Sequence, residues 1–222
     1  MNKTKALLIG VLAFGCHNVQ AGLANAGFES VTQNDPTKAE SWFFLLPNGA
    51  ASSVISTTST GLALTAAEGS KFLRLSTLTS QIITNTNVNS GTYLTQNNWV
   101  REYQEANFSA GDIFKFNFAF SPSPFSTSDA ARASIFRILN GVTSEVFSII
   151  LQSGIATQRQ LNQFDTVITS TNIAYAPFRS AWQLITVPIY KTGTYRVEFA
   201  VANITNSLVS SSAFFDSYQQ VP

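Results

Sequence analysis

Cysteine and histidine are nearly missing from this sequence: 222 residues contain one of each, Cys16 and His17. Both fall in an N-terminal stretch with the features of a secretory signal. Lys3 and Lys5 precede an apolar run from Ala6 to Gly15, and Val19-Gln20-Ala21 places small residues at the −3 and −1 positions of a cleavage site. The run is about ten residues, whereas a spanning helix needs roughly 20. Cys16 follows Ala13-Phe14-Gly15, where the bulk of Phe14 argues against a lipoprotein signal. The expectation is therefore a signal peptide over residues 1–21, cleaved after Ala21, and a secreted product that works outside the cell or at its surface.

Cleavage leaves a chain of residues 22–222 with no thiol and no imidazole. That excludes cysteine or Ser-His nucleophiles, His-ligated zinc or copper, and a histidine-based pH switch. It also excludes disulfides, so stability in an oxidising compartment has to come from the core. Charge is scarce too, at 11% of residues, with 13 basic against 12 acidic side chains. Losing Lys3 and Lys5 leaves 11 against 12, a formal −1. No one-signed field results, so neither nucleic acid nor an anionic membrane surface is an expected partner, and no membrane insertion is expected after cleavage. Helical periodicity beyond two turns, internal repeats and linker-like segments are also lacking.

What the sequence has is phenylalanine, 18 of them, among many Ser, Thr, Asn and Gln. In Ile113-Phe114-Lys115-Phe116-Asn117-Phe118-Ala119-Phe120 the four Phe share one face at a period of two. Tyr195 to Val201 repeats the pattern after the turn Lys191-Thr192-Gly193-Thr194. Further strands are predicted at Phe72 to Ser76, Trp99 to Phe108, Ala133 to Leu139, Val146 to Leu151, Thr166 to Thr169 and Trp182 to Ile189. Residues 52–60, rich in Ser and Thr, read as loop, as do 121–129. Short alternating strands without βαβ order predict an all-β class, one antiparallel β-sandwich or barrel over 22–222. If its first and last strands pair, as is common in sandwiches, Glu29 in Asn25-Ala26-Gly27-Phe28-Glu29 meets Asp216 in Ser210 to Tyr218.

Asn25 to Glu29 resembles the Asn-Gly-Gly-Phe-Glu opening of the carbohydrate-binding-module and galactose-binding-domain-like jelly rolls. Trp182, Thr192 to Tyr195, Asn203 to Asn206 and Ser212 to Asp216 are similar, in that order, to the closing half of bacterial exported surface proteins with this sandwich. Gly69 to Ser76 and Ala110-Gly111-Asp112 also fit. The resemblance implies a jelly-roll sandwich. It also implies that Glu29 and Asp216 help hold a structural Ca²⁺, a cation that takes six to eight oxygen ligands. The plainer alternative is that both carboxylates accept hydrogen bonds from adjoining loops.

Sugar binding on such folds uses flat aromatic rings flanked by amides and charged groups. Trp99, Arg101 and Tyr103 share a strand face and follow Asn97 and Asn98, so these five are the expected ligand-binding residues. The competing reading is core or cross-strand packing, to which Trp42 and Trp182, beside apolar residues, are assigned. Glu102 and Glu105, three apart on a strand, face opposite ways and cannot form a glycosidase pair. No catalytic residue is expected. The function expected is non-catalytic binding of a polysaccharide or other glycan, or of extracellular matrix, at a bacterial surface. The alternative is a self-associating subunit of a surface layer, filament or biofilm matrix, consistent with low charge and polar outer faces.

Overall fold

Alternating apolar residues form strands here because each strand buries one face between two layers. The computed structural model describes residues 22–47, 50–58, 63–77, 99–121, 129–152, 155–174, 182–203 and 210–220. The expected signal segment lies outside them, as do Asn97 and Asn98. The strands are β1 (Val31–Thr32), β2 (Asp35–Ala39), β3 (Phe43–Leu45), β4 (Ala51–Ile55), β5 (Phe72–Ser76), β6 (Val100–Phe108) and β7 (Ile113–Ser121). They continue as β8 (Ala130–Leu139), β9 (Val142–Gln152), β10 (Ile155–Leu161), β11 (Val167–Ala174), β12 (Gln183–Pro188), β13 (Gly193–Ala202) and β14 (Ser212–Gln220).

One sheet runs β11-β10-β9-β8-β13-β6-β3 and the facing one β12-β7-β14-β5-β4, with every pairing antiparallel. The result is the expected all-β sandwich of jelly-roll type. Asn140 (φ 53) and Gly141 (φ 77) turn the β8–β9 hairpin, the positive-φ pair that matches strand twist. Phe114, Phe116, Phe118 and Phe120 of β7 all point inward, and Lys115 and Asn117 lie half-buried on the other face. They meet Phe199, Val197 and Tyr195 of β13 and Phe147 of β9 in one core. Each outer face has a smaller apolar cluster: Phe72, Phe214 and Ala119 with Trp182 on one side, Trp99 with Ala130, Ala200 and Ala202 on the other.

Three expectations are corrected. Residues 25–29 form a turn rather than a strand, and β14 pairs with β5 and β7 instead. The turn is held by the Asn25 amide, whose Nδ2 donates to Ser30 O (2.7 Å) and Glu40 O (3.0 Å). It carries Phe28 at φ 60 into the core against Trp42, a left-handed conformation tolerated because the ring is fully buried there. Residues 51–55 form β4 rather than loop, with Ser52 facing inward. The polar 155–161 segment forms β10, a strand that period-two reasoning overlooks because only Ala156 is buried in it.

Candidate functional site

β3 joins the edge of the seven-stranded sheet through only three residues, Phe43, Phe44 and Leu45, opposite Tyr103, Glu102 and Arg101 of β6. Phe43 and Tyr103 therefore stand side by side on the outer face, rings stacked at 5.6 Å and 25°. Arg196 of β13 closes the row, its guanidinium carbon 4.6 Å from the Tyr103 ring centre. Glu105 fixes that guanidinium by accepting from Nε (3.1 Å) and Nη2 (2.6 Å). The inner ring is thus supported from both sides, and Phe43 is left 62% exposed at the end of the row.

Beside the rings lies an open recess of about 450 Å³ lined by Gly22, Ala24, Ser41, Phe43, Tyr103, Gln104 and Glu105. It exists because, among the described residues, β6 has no strand partner on this side past Tyr103, until Gly22 N donates to Asn107 O at 2.9 Å. Gln104 braces the recess, its Nε2 donating to Ala24 O (3.1 Å) and Ser41 O (2.6 Å). Its Oε1 has no partner among the described residues. Chemically this is a flat apolar platform next to a carboxylate and a hydroxyl. It can stack a ring face and accept hydrogen bonds from hydroxyls.

The structure separates the five residues expected to bind. Tyr103 is in the aromatic row. Trp99 is fully buried and cannot offer a ring face, a correction with a simple cause: Ala130, Ala200 and Ala202 leave a seat that the indole fills. Arg101 is also buried, 4.0 Å from Glu198 in an ion pair, and serves the sheet rather than its surface. Asn97 and Asn98 lie outside the described residues. Phe43 escapes sequence reasoning because it sits in the apolar run Trp42 to Leu46, which reads as core; the three-residue edge strand instead leaves Phe43, Phe44 and Leu45 all exposed. Farther along the same face Arg132, Glu145 and Arg159 form a chain of ion pairs with Ser148.

Glu29 and Asp216 do converge, on the loop Ala67 to Lys71 and not through strand pairing. Glu29 accepts from Ser70 N (2.7 Å), Ser70 Oγ (2.7 Å) and Lys71 N (3.0 Å). Burial alone would raise its pKa, but these bonds and the Lys71 charge hold it below the ordinary value. Gly69 is required here: at φ +63, a Cβ would lie 2.1 Å from Glu29 Oε1. Asp216 Oδ2 accepts from Ala67 N and Glu68 N, both at 2.9 Å, while buried Oδ1 has no partner among the described residues. Burial, with the charges of Glu29 and Glu68, pushes the Asp216 carboxyl up to about 6 against the pull of those two N–H groups. Among the described residues no group of three or more His, Cys, Asp or Glu is arranged to hold a metal. The donor set fits calcium in part, through Asp216 Oδ1; the Glu29 oxygens are taken by N–H and O–H donors.

No protein-family model and no curated protein matches the sequence. Among solved structures the chain is similar to a family 61 carbohydrate-binding module in complex with β-1,4-galactotriose, at 13% identity and TM-score 0.44, over 91% of this chain and 99% of that one. It is similar to a xylan-binding domain from Paenibacillus barcinonensis at 11% identity and TM-score 0.39, over 87% and 88%. It is also similar to a cleaved adhesin domain of Lys-gingipain at 15% identity and TM-score 0.44, over 88% and 96%. At these values the likeness is one of sandwiches, and the choice of ligand rests on the residues of this chain.

Proposed function

We propose that the protein is a non-catalytic carbohydrate-binding protein, exported through the segment 1–21 and working at the bacterial surface or in the extracellular matrix. The observation that supports this most is the exposed Phe43 ring stacked on Tyr103 beside an open recess edged by the Glu105 carboxylate. A pyranose lays its C–H face on Phe43, and its hydroxyls donate to the Glu105 carboxylate. Retention of the purified protein on a panel of insoluble and immobilised polysaccharides tests the reading. Phe43→Ala and Tyr103→Ala should each weaken retention by about tenfold, the loss of roughly 1.5 kcal/mol of ring contact. Thermal unfolding should barely change for Phe43→Ala, whose ring is mostly in water. Full retention by both variants, or none by the unaltered protein, removes the proposal.

A structural calcium ion belongs to the proposal through Asp216 Oδ1. Its measurement is the melting temperature with and without EDTA: chelation should lower it, and an unchanged value discards calcium.

The second reading, self-association, is favoured by β11. This edge strand of eight residues has no charge and no proline, and Val167 and Ile168 are exposed beside Phe164. Edges of that kind pair readily with other strands. Mass that rises with concentration, together with indifference to sugars, would favour it over saccharide binding.

A further inference from the structure

Away from the β3 edge, the two sheets part between β9–β10 and the end of β12. The gap is a recess of about 30 Å³ walled by Val146, Leu161, Val187 and Ile189. Arg137 and Tyr195 lie inside it, and Tyr190, Lys191 and Asp165 stand around it. Tyr190 is 43% exposed there.

Three charged residues line this space, and they do not balance. Lys191 is paired with Asp165, which leaves the Arg137 guanidinium without a counter-charge among the residues lining the recess. Its Nε is buried with no hydrogen-bond partner among the described residues, and its Nη2 makes one long bond of 3.5 Å to Thr192 O. The group rests over Gly193, where an added Cβ would meet Nε at 3.4 Å, so its position is set by packing rather than by polar partners. A guanidinium is charged at every accessible pH and carries a planar fork of donors matched to a carboxylate. Arg137 is half-buried, so the charge as a whole keeps access to water, but its Nε is closed off from it, and an unmade bond at a buried donor is costly. An anion in the guanidinium plane would satisfy Nε and the adjacent Nη together.

We propose that this recess binds the carboxylate of a small acid, both oxygens facing Arg137. Its volume admits a carboxyl group, the space of about two waters, and no ring. The body of the ligand therefore stays at the mouth, against the Tyr190 ring. A free short-chain acid and the uronic acid unit of an acidic glycan share this chemistry. The site is separate from the Phe43 platform, which lies on the opposite edge of the seven-stranded sheet.

The test is an NMR titration of the purified protein with acetate and with galacturonate, using acetamide and galactose as neutral counterparts. At least one acid should shift the Arg137 Nε–H signal and the Lys191 and Gly193 amides in a saturable way, and the neutral compounds should not. Arg137→Gln should weaken that binding by about tenfold or more. Shifts with galacturonate alone assign the site to acidic sugars, and equal shifts with acetate assign it to free acids. No shift with either acid, or equal shifts with the neutral compounds, overturns the proposal. So does undiminished binding by a folded Arg137→Gln protein. If that variant does not fold, the acid-against-neutral comparison on the unaltered protein decides.

Discussion

Phe199→Ala should cost about 3–5 kcal/mol of folding stability, the range for emptying a buried aromatic site. Phe199 is fully buried at the centre of β13 and touches rings from both layers. It stacks on Phe215 at 4.3 Å and on Trp42 at 5.6 Å, and tilts against Phe116 at 5.7 Å. Phe28, delivered by the 25–29 turn, meets it edge-on at 6.3 Å. Removing the ring leaves a void that four neighbours on four different segments cannot close together, because each is fixed by its own backbone. For a domain of this size the loss corresponds to a fall in melting temperature of roughly 10 °C. Chemical denaturation of both proteins measures it, and a loss under about 1 kcal/mol would show that the core repacks freely.

Glu102→Gln should make the protein more stable at alkaline pH and reduce its dependence on pH. Glu102 points into the space between the sheets and is almost completely buried. The Ser52 hydroxyl donates to its Oε2, and Oε1 has no partner among the described residues. Burial pushes its pKa up to about 7, against the lowering effect of the Ser52 bond and of Lys38. Lys38 is close by, donating to Ser52 O at 2.7 Å. Because the folded value lies above the unfolded one, the folded state holds its proton to higher pH. Stability from this group is complete below about pH 4.5, falls as pH rises to about 7, and is level above that. At about 1.4 kcal/mol per unit the fall is roughly 3 kcal/mol. A neutral glutamine of the same shape loses nothing over that interval. Urea unfolding at several pH values should show the variant gaining on the parent between pH 5 and 8, by about 2–3 kcal/mol. Parallel curves for the two proteins would place the charge of Glu102 in water.

The strands with a clean period of two are legible in the sequence alone: β5, β6, β7, β12 and β13 lie within a residue or two of their expected bounds. The strands that alternation does not reveal share one feature, a polar residue where the pattern wants an apolar one. In β4 one inward position is Ser52, which bonds Glu102, and only Val54 beyond it packs against the core. In β10, Gln158 and Gln160 hold positions that Val or Phe would have made visible. The Ser52–Glu102 pair buried between the layers is invisible in β4 alone, since Ser52 among its Ser and Thr neighbours looks like loop.

The candidate site divides the same way. Residue order specifies that Trp99, Arg101 and Tyr103 share a face, because side chains alternate along any extended chain. It does not say which part of that face meets water, and that is set by the neighbours each register supplies. Alanines on β8 and β13 bury Trp99, Glu198 faces Arg101, and a three-residue edge strand leaves Phe43 exposed at the end of the row with Tyr103. Glu29 and Asp216 likewise meet because a loop from residue 67 to 71 folds onto both, 187 positions of chain between them. Composition and period carry the class of fold, being local and repeated along the chain. The site arises where distant segments happen to be packed, and only the folded sandwich brings those segments together.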